Sequence, residues 1–241
     1  MKLFLGVPCY REMPAEFTMS LVRLVKDRNC PFEIEPTYLV GDSYVTKARN
    51  RLTTTFMNSD CSHLLWIDCD LAFSTQDVAN LVQHDEPIVG GLYCLKRPGF
   101  PHFVCDFLPD YQPIDARGLQ PLLHIGAGFL LIRRDVIERM IADYGPKIAY
   151  TNPVTREQDY NLWETTIQNG TFYGEDYTFC ERARELGFTI FGNWNVILPH
   201  VGNASYPLRV FTQPEVAECG RQVREFIEGK RKGTNKNEHR Y

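Results

Sequence analysis

His63-Leu64-Leu65-Trp66-Ile67-Asp68-Cys69-Asp70 decides how this sequence is read. Its first five residues form a short, unbroken run of large apolar side chains, the pattern of a buried strand. Two carboxylates follow where that strand stops. In open α/β sheets, ligands bind outside the carboxyl ends of the strands. Two acids one residue apart at such an edge make a hard oxygen site suited to Mg²⁺ or Mn²⁺. An ion there is placed to clamp a diphosphate. The competing reading is a loop start whose acids cap the next helix, and a D-x-D standing alone favours that reading. The surrounding sequence has to decide.

On both sides of this stretch, strands alternate with helices. Lys2 to Val7 reads as a first strand, followed by a helix carrying Phe17, Leu21, Leu24 and Val25. Phe32 to Val40 reads as a second strand, interrupted or at an edge because of Pro36. Ser43 is a candidate N-cap for a helix with Val45, Ala48, Leu52 and Phe56 on its apolar face. Ser74 and Thr75 cap a helix with Val78, Leu81 and Val82, and Pro87 to Gly91 gives a short strand ending in a flexible turn. The alternation predicts an α/β fold, with a mostly parallel central sheet and helices on both faces.

Beyond residue 92 the pattern changes. Residues 92 to 125 read as antiparallel excursions and loops, and Gly126-Ala127-Gly128 leads into a strand from Phe129 to Ile132. A helix with Val136, Ile137, Met140 and Ile141 stops near Gly145, and residues 146 to 173 read as irregular. Glu175 to Leu186 is a helix closed by Gly187, and the last core strand is read at Ile197-Leu198, before Pro199-His200. The expected organisation is one domain over 1–228, with a nucleotide-binding part at 1–92 and a smaller antiparallel acceptor-side part at 93–228. A polar, basic tail follows at 229–241.

The chain has 241 residues, 44% hydrophobic and 23% charged, an ordinary globular composition able to bury a sizeable core. Its net charge of -4 argues against a broad electrostatic grip on nucleic acid. No apolar run is long enough to span a bilayer, and the first residues lack the h-region and cleavage site of a signal peptide. None of the eight cysteines forms a C-x-x-C pair, so the expected setting is a reducing cytoplasm, that of the host if the protein is viral.

Further groups bear on the acid pair. Glu175 and Asp176 stand at a helix N-terminus, where acids commonly just complement the helix dipole; as a general base, one of them would deprotonate an acceptor hydroxyl. His200 follows a strand and a proline. A lone histidine is usually a packing or surface residue, but at a strand end it could complete a metal site with Asp70. Arg11, Lys47, Arg49, Lys96 and Arg97 supply cations, which on a helix face are usually solvated. Asp42 suits a ribose or base, and Arg49 a phosphate. Tyr10, Tyr44 and Tyr93 either pack or stack on a base. Gly126 and Gly128 permit close approach of backbone to a ligand, or relieve a tight turn. A Walker A sequence and a G-x-G-x-x-G fingerprint are both missing.

Taken in order, Val7-Pro8, Thr46-Lys47-Ala48-Arg49-Asn50, Leu65-Trp66-Ile67-Asp68-Cys69-Asp70, Gly90-Gly91-Leu92-Tyr93, Gly126-Ala127-Gly128-Phe129, Gly174-Glu175-Asp176-Tyr177 and Pro199-His200 form an ordered series. With this series the chain resembles metal-dependent GT-A glycosyltransferases, most closely the small family-2-type enzymes of phages and large viruses. The resemblance implies a Rossmann-like GT-A fold, a nucleotide-sugar donor with a UDP leaving group, and Mn²⁺ or Mg²⁺. It implies that Asp70 binds the metal directly, that Asp68 contacts ribose or metal, and that His200 is the third metal or diphosphate contact. Asp176 resembles the base of an inverting transfer, with Glu175 beside it, and Pro8, Tyr10, Asp42 and Arg49 would surround the nucleotide. The sequence has no Q-x-x-R-W motif, and Gln222-Val223-Arg224-Glu225-Phe226 does not supply one. That departure points to transfer of a single sugar rather than processive synthesis.

Two rival readings stay open at this stage. A sugar nucleotidyltransferase also sets acids beside a diphosphate, although Val7 to Arg11 is a poor version of its glycine-rich loop. A non-catalytic nucleotide- or carbohydrate-binding module would keep the pocket without turnover. The acceptor is a glycan or another hydroxyl compound, a hydroxylated base of phage DNA among them. The donor sugar and the oligomeric state are not readable.

Overall fold

A computed structural model describes residues 1–96 and 102–202, and the backbone of 205–206. The expected tail at 229–241, the 207–228 end of the acceptor-side part, and Arg97 lie outside the described residues. In chain order the elements are β1 (Lys2–Cys9), α1 (Ala15–Lys26), β2 (Glu33–Val40), α2 (Val45–Met57), β3 (His63–Ile67), α3 (Thr75–Val82) and β4 (Ile88–Leu92). There follow β5 (Cys105–Phe107), β6 (Leu119–Ile125), β7 (Phe129–Arg133), α4 (Arg134–Ile148), β8 (Ala149–Thr151), β9 (Gln158–Tyr160), β10 (Thr166–Gln168) and β11 (Thr171–Tyr173). The last are α5 (Glu175–Glu185), β12 (Ile190–Ile197), β13 (His200–Val201) and β14 (Ser205–Tyr206).

Eight strands form one sheet in the order β2-β1-β3-β7-β4-β12-β6-β5. Only β7 and β6 run against the other six, so the sheet is mostly parallel, as expected. Side chains alternate between its two faces. Leu64 and Trp66 of β3 join Phe4, Leu130 and Ile132 under α2, α4 and α5. Leu65 and Ile67 join Leu3, Leu5, Val7, Phe129 and Leu131 under α1 and α3. Each helix presents its apolar stripe to one of these layers: Leu52 and Phe56 from α2, Val136 and Met140 from α4, Phe17 and Leu24 from α1. Every residue of β3 is buried, which is why its sequence carries no polar alternation.

The edge position of β2 accounts for Pro36, which a central strand would not tolerate. Ser74 caps α3, as expected, and the structure adds a reciprocal capping box with Asp77. Ser43 does not cap α2. The helix starts after Tyr44 without a side-chain cap, and Asp42 Oδ1 instead accepts the Tyr44 N–H at 3.1 Å. Gly90 and Gly91 are not a turn but lie inside β4. A Cβ on either would stand 2.6 Å from Ile125 or 2.7 Å from Val196, so the two glycines let neighbouring layers close on the strand. Within the main sheet, the sequence reading does not place β5, β6 or most of β12; β6 and β12 are interrupted by polar or small residues that are buried here. The stretch 146–173 holds two small antiparallel pairs, β8-β9 and β10-β11, and the buried Leu162 and Trp163. No helix of the described residues is long and apolar enough to cross a membrane.

Candidate active site

The carboxyl ends of β1 and β3 and the residues just after β2 open on one cavity of about 210 Å³. Pro8, Cys9, Tyr10, Asp42, Ser43, Val45, Ala48, Asp68, Cys69 and Asp70 line it. Five residues picked out from the sequence, Pro8, Tyr10, Asp42, Asp68 and Asp70, thus meet in one place. They meet because parallel strands deliver their chain ends to the same edge. Cys69 borders the cavity but is half-buried against the neighbouring apolar layer, and its thiol donates to the Glu12 carbonyl at 4.0 Å. Arg11 lies over the Tyr10 ring at 5.2 Å and is not among the residues lining the cavity.

The segment after β3 is pinned by backbone. Asp68 N–H donates to the Gly128 carbonyl at 2.8 Å, Val201 N–H to that of Asp70 at 2.7 Å, and Ala72 N–H to that of Pro199 at 3.1 Å. These bonds bring His200 beside Asp70, with His200 Nε2 at 3.4 Å from Asp70 Oδ1. His200 Nδ1 faces the Cys94 carbonyl at 2.7 Å. A carbonyl only accepts, so Nδ1 carries the hydrogen, and that bond sets the ring's tautomer and direction. Asp70 Oδ1 is buried with no hydrogen bond of good geometry. Its other oxygen accepts from Lys96 Nζ at 2.6 Å. Burial pushes the Asp70 carboxyl up, but His200 and Lys96 more than offset it and hold it below the usual range.

An oxygen and a nitrogen that share one ion, each about 2.1 Å from it at a right angle, lie roughly 3 Å apart. Asp70 Oδ1 and His200 Nε2 fit that spacing. The orphaned oxygen and the carbonyl-anchored imidazole are what a divalent cation would require. Asp68 is turned elsewhere, with its Oδ1 taking Arg49 Nη2 at 2.8 Å. Among the described residues the only close group of three potential ligands is Glu35, Asp60 and Cys61, and there Lys2 bridges the two carboxylates.

Arg49 departs most from expectation. Read from sequence as a phosphate contact, it is 3% exposed and is not among the residues lining the cavity. Its guanidinium lies over Trp66 at 5.2 Å and Trp163 at 5.7 Å, and reaches Asp68 on one side and Glu175 Oε1, at 3.4 Å, on the other. Burial works against its charge, but Asp68, Glu175 and Asp176 outweigh it and hold the group protonated. Arg49 therefore ties the β3 ledge to the start of α5. Asp68 itself is pushed up by burial, which the facing guanidinium only partly reverses.

At the start of α5, Asp176 Oδ1 accepts the Tyr177 N–H at 2.8 Å. Burial first, and the neighbouring Glu175 second, raise its carboxyl to about 6. A carboxylate titrating there is suited to general acid–base work near neutrality.

Gly126 and Gly128 each lie close under a side chain of the protein. What approaches them is Tyr93. A Cβ on Gly126 would lie 2.4 Å from the Tyr93 hydroxyl, and one on Gly128 would lie 2.6 Å from it. The Gly128 N–H donates to that hydroxyl at 2.9 Å. Tyr93 is buried and stands edge-on to His200 at 5.3 Å, so it packs rather than stacking on a base.

The sequence reading also missed Asn50, Thr53 and Trp163. Asn50 Oδ1 accepts the Trp163 N–H at 2.9 Å, and Trp163 Nε1 donates to Thr53 Oγ1 at 3.0 Å. Trp163 stacks on Phe179 at 4.2 Å and meets Trp66 edge-on at 5.3 Å. The signal was present in α2, where Arg49, Asn50 and Thr53 add a polar stripe beside the apolar one. Such a stripe is buried only when a partner satisfies it.

No family model matches the chain, and no curated protein matches it by sequence. Among solved structures, the chain is similar over 87% of its length to GalNAc-T7, at 8% identity and a TM-score of 0.52, in a crystal structure with UDP, GalNAc and Mn²⁺. The two share a fold. The chain also matches S. aureus TarS at 13% identity over 85% of its length (TM-score 0.40), and TarS 1-349 at 12% identity over 85% (TM-score 0.42). It spans 45% of the GalNAc-T7 chain, 36% of the TarS chain and 59% of TarS 1-349. The fold class expected from the sequence, a GT-A arrangement with a mostly parallel sheet flanked by helices, is the one the chain adopts.

Proposed function

We propose that the protein is a metal-dependent glycosyltransferase, moving a single sugar from a nucleotide sugar, a UDP-sugar by preference, to an acceptor hydroxyl with inversion. One observation carries this reading: the cavity at the strand ends holds Asp70, with its buried unpartnered oxygen 3.4 Å from His200. A neighbour of the same fold binds UDP, GalNAc and Mn²⁺, which supports it further.

Asp70 and His200 would hold Mn²⁺ or Mg²⁺, with Asp68 beside them, and that ion supplies positive charge against the departing diphosphate. Pro8, Tyr10 and Asp42 border the space for the nucleoside. Tyr10 offers a half-exposed ring, and Asp42 a carboxylate oriented by Lys47 at 3.1 Å. Asp176 takes the proton of the acceptor hydroxyl as it attacks the anomeric carbon. Arg49 holds Asp68 and Glu175 in place, so that the donor and acceptor ends of the reaction are set by one buried cation.

The test is a thermal-shift screen of nucleotide sugars with and without Mn²⁺, followed by a transfer assay. Stabilisation by a UDP-sugar only when Mn²⁺ is present is expected. Stabilisation by a nucleoside triphosphate, with pyrophosphate release from a sugar phosphate, would replace this reading with nucleotidyl transfer.

A further inference from the structure

The two oxygens of Asp70 are treated differently. Oδ1 is buried, faces His200 and has no good hydrogen bond, while Oδ2 carries the Lys96 ammonium at 2.6 Å. His200 is fixed by backbone on both flanks and by its bond to Cys94. Lys96 has no comparable anchor: among the described residues its side chain pairs with Asp70, and both side chains are about one-third exposed. A lysine is a point charge on a four-carbon stem and can keep its charge compensated through a large swing.

A divalent ion approaching Oδ1 would meet an ammonium already seated on the same carboxylate. Like charges that close repel, and the repulsion is relieved only if Lys96 leaves. The diphosphate of a nucleotide sugar offers the departing ammonium a stronger, charge-assisted acceptor. We propose that Lys96 is an exchangeable counter-ion: it neutralises Asp70 while the site is empty, gives way to the cation, and passes to the diphosphate. The proposal rests on the metal reading of Asp70 above. It adds that metal and nucleotide bind cooperatively through this one side chain, each raising the affinity of the other by the same factor.

The test is Mn²⁺ titration of the full chain, followed by electron paramagnetic resonance of free Mn²⁺, in wild type, Lys96→Met and Lys96→Arg. Without nucleotide, Lys96→Met is expected to bind Mn²⁺ about fivefold tighter, the scale of one partly exposed ion pair. With Mn²⁺ saturating, the same variant is expected to bind UDP about tenfold weaker, since one charge-assisted bond is lost. Lys96→Arg should stay near wild type in both. A fall in both affinities, or an unchanged Mn²⁺ affinity in a variant that binds the ion, would overturn the exchange while leaving the metal site standing. If no protein, wild type or variant, binds Mn²⁺ with or without UDP, the metal reading of Asp70 fails and the exchange fails with it.

Discussion

The two acidic ends of the site are built in contrasting ways. Asp68 and Asp70 end a strand buried on both faces, and hydrogen bonds to Gly128, Pro199 and Val201 fix the backbone around them. Glu175 and Asp176 begin a helix that follows a hairpin outside the main sheet, β10-β11. That hairpin turns through Asn169 and Gly170, both at positive φ, and is tied to α5 by Thr166 and Thr178 hydroxyls 2.9 Å apart. Its cross-strand pair Ile167 and Phe172 is 75% and 68% exposed. The sheet thus fixes the end assigned to the donor, while a local excursion carries the end assigned to the acceptor. An excursion of that kind changes without disturbing the core.

The contrast can be broken most sharply at Asp70. Asp70→Ala is expected to lower metal-dependent sugar-nucleotide turnover by about a thousandfold or more in a chain whose circular dichroism is unchanged; turnover near wild type would remove the ledge from the chemistry. Asp176→Asn should reduce transfer by roughly 10²- to 10⁴-fold and leave UDP-sugar binding intact, as read by calorimetry. In the wild type, transfer should rise with pH through about 6 and then level off. The stability sign is opposite. The native carboxyl binds its proton more tightly than the unfolded one, so ionising it costs stability as pH rises from about 4 to about 6. Asp176→Asn should therefore be more stable than wild type at pH 7.5, by on the order of 1–3 kcal/mol, and show little gain at pH 3.5. A thermal melt at each pH checks this.

Arg49 joins the two ends. Arg49→Met should cost roughly 3–5 kcal/mol, because it leaves Asp68 and Glu175 half-buried and unpaired. Urea melts measure this. A variant that keeps full stability but loses UDP affinity would restore the phosphate contact read from sequence. The smallest effect belongs to the hairpin. Phe172→Ala should change stability by no more than about 0.5 kcal/mol, and raise the acceptor KM without moving the donor KM. A shift in the donor KM instead would undo the division between the two ends.

The legible parts of the molecule are those where neighbouring residues carry the signal. The β3 run, the amphipathic stripes of α1, α2 and α4, the Ser74 cap and the strand-end acids are all local patterns. What escaped depends on distant partners. Arg49 reads from sequence as a phosphate contact because nothing near it in the chain announces Trp66, Trp163 and Glu175 as its surroundings. At Gly126 and Gly128 the sequence leaves a ligand approach and a tight turn both open, because the residue they admit, Tyr93, lies more than thirty positions away. The β12 segment, Ile190 to Ile197, was lost because Gly192 and the buried Asn193 interrupt its apolar pattern. Asn193 is satisfied by the Asn80 carbonyl of α3 at 2.9 Å, a partner that only the fold supplies.

The place of β12 has a consequence for how the chain reaches this state. It lies between β4 (from Ile88) and β6 (from Leu119) and pairs with both, although it begins only at Ile190, about a hundred residues after β4 begins and about seventy after β6 begins. During synthesis, the join between β4 and β6 therefore waits for the last strand of this sheet, and the His200 that follows arrives later still. Such distant pairings are slow to form. Until they do, the inward edges of β4 and β6 present unpaired backbone, the form most open to capture by other chains.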